Sequence, residues 1–421
     1  AFATGETPIT ADTTTLSSGS YILNNDVTLT SGALTIPSGA NVTINLNGHK
    51  LTNADDYDTI SVKIGGTLTV NGTGTVDNVS HARAAVYNNG TVTLNGGTYD
   101  RSQENGINTE SSGGNSWYTI CNHGTLTIND GVTVTTAGGG DNLSTKGRFS
   151  SLVENGYYSF GSGNERSGYV SGTNNEHPEL TINGGTFTGG LNTIKNDDNG
   201  IVTIANGNFS NFYQCVIQNH NDAMVTGGTF VATNDSANTN TTYGVYNCGC
   251  NATHDIGELK ITGGTFNGAD FAVADVSDTC GSINISGGNF TGNNGALGVT
   301  ENHQADISIT GGTFSSNVSD YVPTNYECAD NDDGTYTVSK LDDKLVVKPG
   351  TDGSATLEGD FGTGGTIEDS TGNSNIENNN VTVDMTTTGG SNDSATLNIT
   401  ASTAQSLGDA SSFTVKTNAG T

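Results

Sequence analysis

The residues best suited to acid–base chemistry form a short run near the middle of the chain. Lys195, Asp197 and Asp198 occupy a four-residue stretch, and Asp222 follows with His220 just before it. Hydrolysis of a glycosidic bond uses two carboxyl groups, one of which acts as an acid. Cleavage of an anionic polysaccharide by elimination would use Ca²⁺-binding aspartates and a Lys or Arg base. Lys195, Asp197, Asp198 and Asp222 are therefore the catalytic candidates if the chain is an enzyme.

The same run is also typical of a tight corner. Residues 196–200 read Asn-Asp-Asp-Asn-Gly, a common turn composition. The whole chain has only 13 Lys and Arg residues with which to anchor an anionic polymer. We therefore expect a protein that is not an enzyme, with polysaccharide cleavage as the alternative.

A long segment at 138–176 suggests a different chemistry, the binding of a carbohydrate. It is unusually rich in aromatic and basic side chains for this chain, and long loops on a compact scaffold often carry function. Aromatic rings can stack on the faces of sugars. The candidate ligand-binding residues are Arg148, Phe149, Tyr157, Tyr158, Phe160, Arg166 and Tyr169.

Three aspartates near residue 330 could bind Ca²⁺, which prefers carboxylate oxygens. Asp330, Asp332 and Asp333 lie in the sequence Asp-Asn-Asp-Asp-Gly. The segment 330–338 also predicts a β-hairpin with Asp-Gly at its turn, and we prefer this structural interpretation. No other cofactor is expected.

The cysteines match no zinc-binding spacing. An even number permits disulfides in an exported protein. Unpaired buried thiols would instead act as small apolar side chains, and both interpretations remain open. The six residues are Cys121, Cys215, Cys248, Cys250, Cys280 and Cys328.

A degenerate repeat of about 21–24 residues must position these side chains. Each unit reads as a strand, a glycine turn, a short strand, a loop and a third short apolar run, with no helical period. This organisation predicts an all-β fold, a right-handed parallel β-helix with three sides. The clearest copies are Thr91–Tyr99, Glu179–Phe187, Glu258–Phe266, Ser282–Phe290 and Asp306–Phe314.

Alternation within each unit predicts which side chains form the core. Leu259 and Ile261 are expected to point inward and Lys260 outward. Glycine at the corner permits a positive φ, so that the aromatic residue two positions later can turn inward. The expected ladders are Tyr99, Phe187, Phe209, Phe230, Phe266, Phe290 and Phe314 for the rings, and Asn88, Asn122 and Asn219 for the corner amides.

The repeat region spans residues 1–340, and a small β-rich module is predicted at 341–421. Within the module, Ser402–Leu407 is predicted as a short helix between strands. The sequence stops just after a predicted strand, so we expect the module to be truncated. The predicted insertions in the repeat region lie near 100–118, 138–176 and 232–256.

The charge balance excludes some partners. The chain has 43 Asp and Glu residues against 13 Lys and Arg, a formal net charge of −30. Such a surface repels nucleic acids and anionic membranes. No run of 18 apolar residues is present, so we expect no membrane insertion.

Residues 41–51 (NVTINLNGHKL), the Gly-Gly-Thr-Phe units and residues 311–338 resemble the pectin-lyase-like β-helix regions of large Firmicutes cell-surface proteins. The resemblance covers roughly residues 20–340 and is specific for architecture rather than for function. It implies a bacterial protein that is secreted or held at the cell wall. As an adhesin, such a protein would bind a glycan or a host glycoprotein. As a spacer, it would be a rod that displays another part of the protein.

The resemblance also allows two other functions. Polysaccharide lyases and glycoside hydrolases share this fold, but the Arg-Ile-Lys signature of the hydrolases is missing and Gly48-His49-Lys50 matches their Gly-His-Gly poorly. The ends of a β-helix expose strand edges, so self-association into a structural filament is the other alternative.

Overall fold

The computed structural model describes residues 5–340 with gaps at 81–82, 104–117, 137–150, 158–174, 235–240, 252–254, 276–280, 300–305 and 325. Beyond residue 340 it describes the backbone of eight strands. The chain divides into two compact units. The first comprises residues 1–322 and 328–338, and the second comprises 323–327 and 339–421.

The first unit is a parallel β-helix, as the repeat predicted. Each coil contributes three strands, and each strand pairs in parallel with the equivalent strand of the next coil. Thr91, for example, lies opposite Thr67 of the preceding coil and Thr125 of the following coil. We number the three stacks of strands as the first, second and third faces.

The faces contain the following strands. The first face consists of Thr7–Pro8, Gly19–Ile22, Asn41–Asn45, Thr67–Asn71, Thr91–Leu94, Thr125–Ile128, Glu179–Ile182, Ile201–Ile204, Asp222–Val225, Glu258–Ile261, Ser282–Gly292 and Asp306–Phe314, the last two of which run on into the second face. The second face otherwise consists of Val27–Leu29, Lys50–Asn53, Thr75–Asn78, Gly97–Asp100, Val132–Thr135, Thr186–Thr188, Asn208–Asn211, Thr229–Ala232 and Thr265–Gly268. The third face consists of Leu34–Ile36, Ile60–Val62, Val86–Asn88, Ile120–Asn122, Val153–Asn155, Asn192–Asn196, Cys215–Asn219, Tyr243–Asn247, Phe271–Asp275 and Gly295–Val299.

Short elements accompany the coils. Gly249–Asn251 and Asp255–Ile256 pair antiparallel, and Ser319–Tyr321 forms a single 3₁₀ turn. Strands Tyr326–Asp330 and Tyr336–Lys340 follow. Gly312 of the last repeat strand lies opposite Val338 in an antiparallel pairing, which covers part of an edge that would otherwise be open to another chain.

The second unit contains antiparallel strands. Its larger sheet consists of Val346–Pro349, Ala355–Glu358, Thr382–Thr387, Ala395–Thr400 and Ala404–Asp409, and its smaller sheet of Gly365–Glu368, Asn373–Ile376 and Thr414–Thr417. The helix predicted at Ser402–Leu407 is wrong, because this segment contributes to a strand that pairs with Ala395–Thr400. So short a helix would be marginal by itself, whereas pairing with a neighbouring strand satisfies the backbone.

A ladder of stacked phenylalanine rings fills the core below the glycine corners, as predicted. The ring centroids of successive residues lie 4.6–5.0 Å apart, and the rings are within 10° of parallel. Buried Tyr99 continues the same column, in register with Val134 and Phe187. The ladder members are Phe187, Phe209, Phe230, Phe266, Phe290 and Phe314.

The glycine pair at the corner formed by residues 263 and 264 has a steric cause. Gly264 has a φ of 107°, which a residue with a side chain rarely adopts. A Cβ on Gly263 would lie 2.5 Å from the carbonyl oxygen of Thr226 in the preceding coil. Close stacking of this corner therefore requires glycine at both positions.

A ladder of buried asparagines closes six successive strands of the third face, from Val86–Asn88 to Tyr243–Asn247. Each amide nitrogen donates to the side-chain oxygen of the next asparagine at 2.7–2.9 Å. The same amides also bond to backbone carbonyls, as Asn155 does to Ile201 at 3.1 Å. The members are Asn88, Asn122, Asn155, Asn196, Asn219 and Asn247, three of which the sequence predicted as a corner ladder.

Replacing Asn155 by Leu should destabilise the β-helix strongly. The change removes the donor to Asn196 and the acceptor for Asn122 in an interior without water, at a cost of about 1–3 kcal/mol for each buried polar group left unpaired. Asn129→Leu is the matched control, because Asn129 lies in a second asparagine ladder on the outer surface, between Asn95 and Asn183. We expect the control to change stability by less than about 0.5 kcal/mol. Urea denaturation followed by circular dichroism measures both, and equal effects would contradict the structural role of the inner ladder.

Candidate functional site

The outward side chains of the third face form a row that does not repeat. Strand alternation turns the apolar residues and the asparagines inward, so the residue between them points outward. Successive members lie directly opposite one another in the parallel register. This outer row consists of Thr35, Ser61, Tyr87, Cys121, Glu154, Lys195, Gln218 and Tyr246.

A cluster of three potential metal donors lies at the centre of the outer row. The Cys121 Sγ lies 2.9 Å from Oε2 of Glu154 and 3.6 Å from Nε2 of His123. The His123 Nε2 lies 3.9 Å from the same Glu154 oxygen. His123 follows Asn122, so the turn after the ladder residue brings the imidazole beside the outer row. The three side chains are no more than 5% exposed.

Two tyrosines hold the imidazole of His123. The Tyr87 hydroxyl lies 3.2 Å from Nδ1, and its ring meets the imidazole edge-on at a centroid distance of 5.4 Å. The Tyr157 ring lies at 4.7 Å, and its hydroxyl donates to the carbonyl oxygens of Asn175 and His123. The hydrogen-bond distance at Nδ1 and the packing of the Tyr157 ring therefore fix the orientation of the imidazole.

An ion pair borders the cluster in the next coil. Lys195 Nζ lies 2.7 Å from Asp197 Oδ2, and both side chains are largely buried. Burial alone would lower the pKa of Lys195, but Asp197 and the other acidic groups nearby raise it well above its ordinary value. Lys195 therefore carries a positive charge at neutral pH, beside the carboxyl group of Asp197.

Burial shifts the titration of the cluster itself. It raises the pKa of Glu154 to about 8, with a further contribution from Asp197 and an opposing one from Lys195. Burial also lowers the pKa of His123 to about 4, against the charge of Asp197, and raises the pKa of Cys121 well above its usual value. Without a bound ion, the cluster at neutral pH is thus a carboxylic acid, a neutral imidazole and a thiol.

An open cleft of about 440 Å³ lies towards the N-terminal end of the third face, beside the first members of the outer row. Thr35 and Ser61 lie along it, and Tyr57, which is 53% exposed, lines it beside Lys63 and Arg83. The cleft offers an aromatic ring, hydroxyl groups and charges of both signs.

Ionic and hydrogen-bonded contacts hold the polar wall of this cleft. Arg83 Nε donates to Oδ1 of Asp56 at 3.1 Å. Oδ1 of Asp58 accepts a bond from the Ala84 amide at 2.8 Å. Burial raises the pKa of Asp58, while this hydrogen bond and the charges of Arg83 and Lys63 act in the opposite direction.

The catalytic candidates predicted from the sequence are divided between faces. Lys195 and Asp197 lie together beside the cluster, and Asp198 exchanges backbone hydrogen bonds with Tyr157. Asp222 begins a strand of the first face, where it is exposed opposite Ile201 and Glu258. The chain turns a corner after Asn219, so Asp222 does not join the other three.

The predicted carbohydrate residues fall mainly outside the described part of the chain. Among them the structure describes Tyr157, which is fully buried. Binding by the segment therefore stays a prediction. The members outside the described residues are Arg148, Phe149, Tyr158, Phe160, Arg166 and Tyr169.

The three candidate Ca²⁺ ligands lie in an exposed turn. Oδ1 of Asp330 accepts from the amide of Asp332, and Oδ1 of Asp333 accepts from the amide of Thr335, both at 2.9 Å. These bonds shape the turn between strands Tyr326–Asp330 and Tyr336–Lys340. Calcium binding there stays a prediction.

Four of the cysteines form no disulfide. Cys121, Cys215 and Cys248 are buried, and Cys328 is partly exposed. Among these four, the prediction of disulfides is therefore wrong, and the thiols remain reduced. The side chains of Cys250 and Cys280 lie outside the described part of the chain.

Sequence reasoning missed Cys121, His123 and Glu154. Cys121 and Glu154 are 33 positions apart, and Glu154 lies within the insertion predicted at 138–176, so spacing alone gives no metal-binding motif. In the structure, Val153–Asn155 is instead a regular strand of the third face. The signal lay in the triplets Ile-Cys-Asn, Val-Glu-Asn and Ile-Lys-Asn, which align only when each asparagine is recognised as the ladder residue.

No family model, curated protein or solved structure matches this chain. The fold and the site define its class as a parallel β-helix protein with a buried Cys–His–Glu cluster on one face. Within the described residues, no helix has the length and apolar character required to cross a membrane.

Glu154→Gln should change how the stability of the metal-free protein depends on pH. The pKa of Glu154 is about 8 in the folded chain against an ordinary value of 4.5, so the folded state binds the proton more tightly. Its contribution to stability is complete below about pH 4.5 and is lost as the pH rises through about 8. Between these limits, the free energy of unfolding of the wild type should fall by a few kcal/mol relative to that of the variant.

Urea denaturation in EDTA-containing buffers between about pH 5 and pH 8.5 provides the measurement. Glu179→Gln is the control, because Glu179 is exposed at the start of its strand and its removal should leave the pH dependence unchanged. Parallel curves for the wild type and Glu154→Gln would contradict the raised pKa.

Proposed function

We propose that this chain is an exported, non-catalytic β-helix protein of a bacterial cell surface, and that it binds a glycan in the cleft of the third face. The observation that carries the proposal is the exposed ring of Tyr57 in an open polar cleft. The resemblance over residues 20–340 to cell-surface β-helix regions supports export.

The side chains of the cleft suit the chemistry of sugars. A tyrosine ring provides a flat apolar surface with a polar tip. The hydroxyl groups of Thr35 and Ser61 can both donate and accept hydrogen bonds, and the carboxylates Asp56 and Asp58 can accept from sugar hydroxyls. Such a mixture fits a polyhydroxylated ligand better than an apolar one.

The charge distribution narrows the class of glycan. Lys63 and Arg83 both line the cleft, in a chain with only 13 Lys and Arg residues among 421. They lie beside two aspartates, so the cleft has no strong excess of either charge. We infer a neutral glycan, or one with isolated acidic groups, rather than a uniformly anionic polymer.

The distribution of acidic groups favours binding over cleavage. Glu154 and Asp197 are almost fully buried, and Asp222 lies on a different face. In the described part of the third face, these groups do not flank an open cleft in the way that a pair of glycosidase carboxylates flanks its substrate. The two carboxylates that do line the cleft accept hydrogen bonds within its wall, Asp56 from Arg83 and Asp58 from the Ala84 amide.

Tyr57→Ala should weaken glycan binding at least about tenfold, which corresponds to about 1.4 kcal/mol, whereas Tyr57→Phe should retain most of the affinity because the ring remains. A glycan array identifies the ligand, and calorimetry on the best hit compares the variants. Met224→Ala provides the control, since Met224 is an exposed apolar residue of the first face.

Saturable binding by the wild type with equal affinity in Tyr57→Ala would place the binding site elsewhere, and the segment 138–176 would then be tested by deletion. Absence of binding to any glycan would reject the proposal. Release of reducing or unsaturated sugars from the same polysaccharides would identify the chain as an enzyme.

A further inference from the structure

Three donor atoms of different elements converge at the centre of the third face. They are the sulfur of Cys121, Nε2 of His123 and Oε2 of Glu154, separated by 2.9, 3.6 and 3.9 Å. All three belong to buried side chains, and they form the only such group of three or more donor residues within the described residues.

The spacing of these atoms matches the size of a metal ion. The point equidistant from all three lies about 2.0 Å from each of them. Zinc bonds to imidazole nitrogen and carboxylate oxygen at about 2.0–2.2 Å and to thiolate sulfur at about 2.3 Å. An ion displaced slightly from the plane of the three atoms would reach each of them with little movement of the side chains.

The surroundings of His123 also fit a ligand role. Ligating histidines usually hold their second ring nitrogen in a hydrogen bond, which fixes the ring and the tautomer. Here Nδ1 lies 3.2 Å from the hydroxyl of Tyr87, and Nε2 faces Cys121 and Glu154. The ring of Tyr157 packs against the imidazole of His123 at a centroid distance of 4.7 Å.

The donor set discriminates between metals. Calcium and magnesium prefer sites built from oxygen alone. One thiolate, one imidazole and one carboxylate suit zinc, whose four-coordinate sites can keep one position for water.

We propose that Cys121, His123 and Glu154 bind one Zn²⁺ ion. The ion ties together two neighbouring coils of the β-helix, because Cys121 and His123 belong to one coil and Glu154 to the next. Cys121 and Glu154 are 33 positions apart in sequence, more than the 21–24 residues of a simple repeat. A metal bridge fixes the two coils to each other independently of any glycan bound in the cleft.

A cysteine outside the cluster provides the control. Cys328 is a partly exposed thiol, and among the described residues it belongs to no group of three donors. Zinc binding should therefore depend on Cys121 and not on Cys328.

The first experiment titrates the EDTA-treated full chain with Zn²⁺ by calorimetry and measures bound metal by mass spectrometry. We expect one Zn²⁺ per chain, a rise in the melting temperature with Zn²⁺ and none with Mg²⁺ or Ca²⁺. Cys121→Ser and His123→Gln should each lose at least about tenfold in affinity, and Tyr87→Phe should lose about 10–100-fold as a residue that orients a ligand. Cys328→Ser should bind as the wild type does.

Replacement of Zn²⁺ by Co²⁺ gives a spectroscopic test in the wild type, which avoids variants that fail to fold. A thiolate-to-cobalt charge-transfer band in the near ultraviolet should appear at one equivalent and be absent in Cys121→Ser. Absence of stoichiometric Zn²⁺ binding by the wild type would overturn the proposal. So would binding whose stoichiometry and affinity are unchanged in Cys121→Ser, or that is lost in Cys328→Ser instead.

Discussion

Hydrogen bonds between the buried asparagines of the third face hold the coils of the β-helix in register. Consecutive ladder residues are 23–41 positions apart in sequence, yet their amide contacts all fall between 2.7 and 2.9 Å. A buried amide without a partner is costly, so each coil must return its asparagine to the same place whatever the length of its loops. Insertions can therefore enter the coils without shifting the strands that follow.

This constraint also builds the cluster of Cys121, His123 and Glu154. Because each asparagine has a fixed position, the residue before it always points outward and the residue after it always begins the corner. Cys121 and Glu154 thus meet as strand neighbours, and His123 reaches them from the corner. The backbone register, rather than closeness in sequence, fixes the distances between the three donors.

The sequence predicted those parts of the fold that depend on local patterns. The phenylalanine ladder followed from Gly-Gly-Thr-Phe, because the corner glycines and the inward ring lie within four residues of each other. The cluster could not be predicted in this way, since Cys121 and Glu154 are 33 positions apart and Glu154 falls within a segment predicted as an insertion. The helix predicted at Ser402–Leu407 failed for a related reason, because pairing with a distant strand outweighed a weak local preference.

The first and third faces of the β-helix differ in how regularly one type of outward residue recurs from coil to coil. On the first face, six successive threonines occupy one outward column, and an exposed asparagine ladder runs beside part of it. These threonines are Thr43, Thr69, Thr93, Thr127, Thr181 and Thr203. The outer row of the third face changes residue type at almost every coil and includes Cys121, Glu154 and Lys195. In a repeat scaffold the packing needs of each coil are nearly the same, so a row of unlike polar residues has no explanation in packing alone. The third face thus combines a uniform interior ladder, which fixes geometry, with a variable exterior row, which is free to carry binding sites.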